Sequence, residues 1–377
     1  MTTRDTTNTP LIDLCKYNDE TSMISHALSL SLVTKEPFCA VFINENSSGL
    51  TTFQQQLILF IASLCDAKVS GVTKGSKEFF FIPQNYFEKK KIDAKEAFSQ
   101  PQHSTQIIKC LLPLLLTSGK KITCHLHSST YNKNMMSLQM FKETILRFTN
   151  PLMVKNSVHV LQESIYPQQS TCELTIQSKH DLFHAPPLKI KKQAELISLK
   201  SNCLFAQEYT QEHEREHIRK TISISMQQKN IPFDCNTRTQ ELEKPTFWIS
   251  NYALFGNEEG FDNDNAGVMF LEKEFEINPY IDEEVIKFNK LCSEKMNTQK
   301  ISSDLLSFLL PIITCIGGEI PKISKECKEY KTISYIAQKI LDVTITTKEN
   351  SFFCQGYTSK HIQNTQNENV IAIDELE

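Results

Sequence analysis

Glycine is scarce in this chain. Ten occur in 377 residues, where a usual share of roughly 7% would give about 26. Loops that cradle phosphate need close backbone approach and positive φ, both of them glycine properties. Few such loops can be built here. Arginine is scarcer still: of 40 Lys+Arg, only Arg4, Arg147, Arg215, Arg219 and Arg238 are arginine. The guanidinium fork makes bidentate phosphate clamps that an ammonium group cannot, so those clamps are also few. A net charge of −4 and a pI near 6.2 exclude a global basic field for nucleic acid. Any polyanion contact has to be a local patch.

Other absences narrow the class. The N-terminal MTTRDTTNTPLIDL has no apolar core of signal-peptide length. No run approaches the roughly 18 apolar residues of a membrane span. The longest, 107-IIKCLLPLLL-116, is interrupted by Lys109 and Pro113 and reads as a buried helix. Twelve cysteines are scattered without a CxxC pair, so reduced, buried thiols and a cytoplasmic location are expected.

At 377 residues the chain exceeds the usual single core, and two domains, or one domain with a large insertion, are expected. From Ser22 to Val33, SMISHALSLSLV has helical periodicity, and Pro37 then disfavours continuation. A strand at 38–43, a turn at 46–49, a helix at 53–67 and two strands at 68–72 and 78–83 follow. Residues 104–180 repeat that order: helix 104–117, strand 121–127, helix 137–149, strands 157–164 and 171–178. A weaker copy runs from about 281 to 357, with helices over 282–296 and 332–342 and the apolar segment 304–318. The expectation is an α/β fold: a large domain of three repeated two-helix/four-stranded units (1–185 and 280–377), with a smaller α/β domain, 186–279, inserted before the third.

Three local motifs suggest metals. The stretch 213-HEREH-217 satisfies H-E-x-x-H, but both x positions are charged and the flanks offer no buried face for a dry zinc site. A solvated, charge-paired helix is expected there. In 262-DNDNAGVMFLEK-273 the twelfth position is Lys273, where a calcium loop needs a bidentate Glu, so a polar turn is expected. His125 and His127 share one strand face, with no third ligand identifiable nearby. No metal ligand is assigned.

Several stretches resemble, in order, the RNA 3′-terminal phosphate cyclase family. The stretch 26-HALSLSLVTKEPF-38 resembles its T-A-L-S-L-S-x-x-T-G-x-P-F. The stretch 62-ASLCDAKVSGVTKGSKEFFFIP-83 resembles A-x-E-I-C-G-A-x-V-x-G-x-x-x-G-S-x-x-L-x-F-x-P. The segments 111-LLPLLL-116, 128-SSTYN-132 and 164-SIYPQQS-170 fall where the family has its L-P helix, G-G-T-x-N turn and G-F-Y-P-x-G-G-G. Lastly, 359-SKHIQN-364 resembles S-x-H-L-x-T-N. The resemblance implies an ATP-dependent conversion of an RNA 3′-phosphate to a 2′,3′-cyclic phosphate, through a histidine that carries AMP. It implies His361 as that nucleophile, Asp304 as an acidic nucleotide contact, Lys109 where the family has a Gln near the nucleotide, and Asn364 beside the ring. ATP, Mg²⁺ or Mn²⁺, and RNA 3′ ends are the implied cofactors and partner.

The departures concern phosphate. Where the family opens with G-E-G-G-G-Q-x-x-R, 17-YNDETSMIS-25 has Asn18 and Ser25; where it carries two arginines, 43-INENSSGL-50 carries none; its Q-H-L is 53-FQQ-55. Phosphoryl transfer is mostly positioning and charge neutralisation, and one lost donor costs about 2.7–4 kcal/mol of barrier. The alternative is therefore a catalytically degenerate relative, acting as an RNA-associated or scaffold protein.

Overall fold

The computed structural model describes residues 9–361, apart from 18, 45, 100–101, 133–134, 162, 191–194, 227–230, 243–244, 257–266, 279, 297–302, 322–326 and 350. It is an α/β fold of four-stranded mixed sheets with interspersed helices. The first unit runs β1 (Leu11–Asp13), α1 (Glu20–Thr34), β2 (Phe38–Val41), α2 (Thr52–Cys65), β3 (Lys68–Ser70) and β4 (Glu78–Ile82), with sheet order β1-β2-β4-β3. The second runs β5 (Lys91–Asp93), α3 (Ser104–Leu116), β6 (Lys121–Ser128), the short α4 (Leu138–Glu143) and α5 (Ile145–Phe148), β7 (Met153–Val160) and β8 (Ser170–Ser178), with order β5-β6-β8-β7. In each sheet the first strand pairs parallel with the second and the remaining pairs are antiparallel.

A third sheet is assembled from both sides of a long excursion. It begins with β9 (Leu188–Lys189). The excursion then supplies β10 (Glu195–Ala206), α6 (Glu212–Met226), β11 (Phe233–Gln240), β12 (Thr246–Gly256), β13 (Gly267–Glu276) and α7 (Ile281–Met296). After it come α8 (Ser303–Ile316), β14 (Gly318–Pro321), α9 (Lys328–Leu341), β15 (Ile345–Thr347) and β16 (Ser351–Cys354). The sheet order is β15-β16-β14-β9, with β9 parallel to β14. Leu188 and Lys189, within the 186–279 stretch, thus pair with β14 of this sheet. A side chain at Gly318 would place Cβ 2.1 Å from the Leu188 carbonyl oxygen, which is why glycine stands where β9 approaches.

The excursion builds its own sheet, β11-β10-β12-β13. Phe205, Phe247 and Phe275 stand in register across β10, β12 and β13, with ring centroids 5.2 and 5.1 Å apart. Phe288 of α7 meets the end of this stack. Helix α7 therefore covers this sheet, through Val285, Phe288 and Cys292, instead of opening the third repeat as its place in the sequence suggests. The opposite face sets Trp248 against Tyr131 of the second unit at 5.4 Å.

Helices α1, α3, α8 and α9 pack on one another at the centre. Met23 to Thr34 of α1 are all buried, which explains why this helix carries apolar and small hydroxyl residues all round instead of on one stripe. Truncating Leu28, fully buried, to Ala would cost about 2–5 kcal/mol. Helix α2 starts with a capping box: Thr51 Oγ1 accepts from the Gln54 N–H, and Gln54 Oε1 accepts from the Thr51 N–H. Gln54 Nε2 also donates to Thr21 Oγ1 at 2.9 Å. In the FQQ stretch, this glutamine is a cap.

Candidate nucleotide cleft

Four helix N-termini meet at one end of the central bundle. Thr21, Ser22 and Ser25 of α1, Thr105 and Lys109 of α3, Asp304 and Ser307 of α8, and Glu329 of α9 line a cleft of about 390 Å³, with Met135, Met136 and Phe308 as its apolar flank. Unpaired N–H groups and aligned peptide dipoles give helix N-termini a positive field that favours anions. Here the chain's own carboxylates occupy much of that field. Asp19 caps α1 by accepting from the Ser22 N–H at 3.2 Å. Asp304 and Glu329 sit in the first turns of α8 and α9.

The cations are outnumbered. Lys109 Nζ donates to Ser22 Oγ at 3.5 Å, and Lys328 lies 3.4 Å from Asp19. Enclosure pushes the Lys109 ammonium down, opposed by Asp19, Glu329 and Asp304. The Asp304 carboxyl is pushed up, first by enclosure and then by the negative charge of Glu329, with Lys109 acting against both. Glu329 also accepts from the Cys327 thiol at 2.9 Å.

Lys109 and Asp304 thus share one cleft, and His361 is elsewhere. It ends a helical turn over 357–361 and is exposed. Its ring stacks on Tyr357 at 5.7 Å and meets Phe183 at 5.7 Å. Phe183 lines a second pocket of about 270 Å³ with Leu32, Val33, Leu114 and Thr117, at the C-terminal ends of α1 and α3. From Ser22 to Leu32 the helix rises about 15 Å, so His361 sits toward the far end of the bundle. Asn364 lies outside the described residues. Among the described residues the cleft lining includes no histidine and no arginine.

The arginines are engaged elsewhere. Arg147 pairs with Glu143, Arg219 with Glu216, and Arg238 with Glu163, while Arg215 donates to the Thr210 carbonyl. Arg4 lies outside the described residues. HEREH does lie on a helix, α6, where His217 Nε2 is 2.7 Å from Asp282 of α7 and Glu214 accepts from the Gln211 N–H. From Gly267 on, the calcium-like stretch is strand β13; 262–266 lie outside the described residues. Among the described residues no group of three or more His, Cys, Asp or Glu is arranged to hold a metal ion, and no helix is long and apolar enough to cross a membrane. All twelve cysteines are free thiols.

Two cleft carboxylates, Asp19 and Glu329, were not singled out by sequence reading. Asp19 stands just before the periodic run that opens at Ser22, a helix-start signal. Glu329 stands three residues before the helix expected at 332, and its signal was the acid enrichment of a first turn.

Comparison with known proteins gives the family. The family model described as RNA 3′-terminal phosphate cyclase matches residues 20–347. A protein named RNA 3′-terminal phosphate cyclase from Methanosarcina mazei is 28% identical over 149 residues, which are 39% of this chain and 41% of the relative. The chain therefore spans less than half of that relative's length in the match. The family match stops at Thr347, before His361 and Asn364. Over most of its length, this chain belongs to the RNA 3′-terminal phosphate cyclase family.

Proposed function

We propose that this chain is a catalytically degenerate member of the cyclase family that acts by association with RNA, and that it does not transfer AMP. One observation carries the reading: in the cleft where four helix N-termini converge, Asp19, Asp304 and Glu329 face Lys109, with no arginine or histidine among the described lining residues. Met135, Met136 and Phe308 give the cleft an apolar flank. A triphosphate does not fit the rest, because three carboxylates repel it, and Lys109 together with Lys328, which is paired with Asp19, does not neutralise it. Mg²⁺ or Mn²⁺ would have to be brought with the nucleotide.

The second reading is an active cyclase, in which ATP adenylylates His361 while Lys109 and Asp304 hold the nucleotide. Family membership favours it. Its difficulty is the placement of His361 against Phe183 and Tyr357. An RNA carrying a labelled 3′-phosphate separates the readings. After incubation with protein, ATP and Mg²⁺ or Mn²⁺, the label is expected to remain removable by phosphatase. Conversion to a phosphatase-resistant cyclic phosphate would overturn the proposal.

A further inference from the structure

The sheet β5-β6-β8-β7 has one buried and one open face. Ile122, Cys124, Leu126, Leu174 and Ile176 alternate onto the face under α3 and are buried. The intervening residues point the other way. Directly paired residues in a ladder share a face, so the register fixes the content of the open side.

That side carries three imidazoles and three lysines. His125 of β6 and His159 of β7 both pair with Glu173 of β8, and His127 lies two residues beyond His125 on the same strand. Neighbouring strands are about 4.8 Å apart and alternate residues about 6.8 Å, so His125 and His159 stand about two strand spacings apart across Glu173, and His127 one alternate position from His125. Lys121 and Lys155 flank Gln177 in a parallel row, and Lys91 stands on the edge strand β5 opposite Thr123. Lys91, Lys121, Lys155 and His159 are exposed, and His125 and His127 are half-buried. Two carboxylates share the face: Asp93 lies 3.8 Å from Lys91, and Glu173 lies 3.6 Å from the His125 ring. The remaining row is hydroxyl, with Thr123 and Thr175 in contact at 2.9 Å.

We propose that this open face binds single-stranded RNA, with the imidazoles stacking on bases and the three lysines meeting phosphates. Flat rings on an exposed sheet, rimmed by ammonium groups, suit an unpaired strand whose bases are splayed out. A duplex would present its phosphates instead and leave the rings unused. The partly exposed Ser157 hydroxyl and Gln177 amide can exchange hydrogen bonds with ribose 2′-hydroxyls, which selects RNA over DNA. On this face three lysines outnumber two carboxylates, and Lys121 and Lys155 stand together in one row away from both acids, a local excess of positive charge in a chain of net charge −4. The inference rests on the RNA-associated part of the proposed function and holds whatever the cleft does.

The test is fluorescence anisotropy of the full chain with a labelled oligouridylate, across salt concentrations. The paired substitutions His125→Ala and His159→Ala are expected to weaken binding about five-fold or more per ring. Lys121→Glu with Lys155→Glu is expected to lower the slope of log affinity against log salt by at least about 1.4, at about 0.7 per phosphate contact. Lys220→Glu, on the exposed side of α6, serves as the control and is expected to change little. These side chains point to solvent, and an unchanged far-ultraviolet circular dichroism melt would show that the variants fold. RNA binding that survives both double variants would overturn the surface and leave RNA association standing. Wild type with no affinity for RNA would overturn both, without bearing on AMP transfer. Equal affinity for polyglutamate would reduce the face to a nonspecific polyanion patch and overturn the proposal too.

Discussion

His103 anchors one wall of the cleft, and its titration sets a measurable acid sensitivity. Its ring is buried at the N-cap position of α3. Thr105 Oγ1 donates to the Met136 carbonyl at 2.7 Å, so at its 2.7 Å contact with His103 Nδ1 it accepts. Nδ1 therefore carries the proton of the neutral ring. Nε2 is buried with no hydrogen-bond partner among the described residues. Protonating it would place a charge in a buried site, and burial, opposed by a hydrogen bond with the Thr130 backbone, pushes the folded-state value down to about 4. The unfolded chain, titrating near 6.5, then binds the proton more strongly. Stability is fully present above pH 6.5, falls as the pH drops towards 4, and changes no further from this group below that. Linkage gives a loss of about 2 kcal/mol at pH 5 and about 3.4 kcal/mol at the limit. His26, buried with both ring nitrogens unpartnered among the described residues, is shifted in the same direction by burial and by the charge of Lys109. Urea unfolding at pH 7.5 and pH 5 measures the sum. His103→Asn keeps a donor for Thr105 and removes the titration, so it is expected to lose about 2 kcal/mol less than wild type between those pH values. Equal losses in the two proteins would refute the reasoning.

Neutralising the cleft with Asp304→Asn and Glu329→Gln is expected to raise affinity for inorganic phosphate about tenfold, as the helix N-termini lose their built-in anions. Calorimetric titration checks this, and unchanged affinity would show that the carboxylates do not oppose anions. Glu272→Ala is expected to destabilise the chain by about 3 kcal/mol in urea unfolding. Its carboxylate accepts from Ser137 N–H and Oγ and from Ser250 Oγ, and truncation strands those donors between the sheet β11-β10-β12-β13 and α4. A loss under about 0.5 kcal/mol, typical of a surface site, would contradict that role. Elemental analysis of purified protein is expected to find only substoichiometric zinc despite HEREH, because His217 is held by Asp282; one zinc per chain, lost in His213→Ala, would reverse that.

Much of the secondary structure was legible where periodicity was strong. The run from Ser22 to Val33 is inside α1, the segment from 304 to 318 contains most of α8, and 121–127 is strand β6. Short edge strands were not legible: Leu11–Asp13 and Leu188–Lys189 have three and two residues, too few to show alternation, and exist through pairing with β2 and β14. Helix α7 was legible as a helix, but which sheet it covers is decided by Phe288 meeting Phe275, a contact between distant strand and helix positions. The cleft was half legible. Lys109 and Asp304 came from motif order, whereas Asp19 and Glu329 act through helix ends that meet only in the fold. The place of His361 depends on Phe183, 178 positions earlier in the chain, and no local pattern encodes that.

Incubation with ATP labelled at the α-phosphate, with Mg²⁺ or Mn²⁺ and 3′-phosphorylated RNA, followed by denaturing gel electrophoresis, asks directly whether any side chain accepts AMP. A histidine adduct is acid-labile and alkali-stable, so the gel is run without acid fixation. With three carboxylates in the cleft and His361 against Phe183 and Tyr357, the expected result is an unlabelled protein band under every condition. A labelled band that disappears in His361→Ala would contradict the account and make the chain a working cyclase.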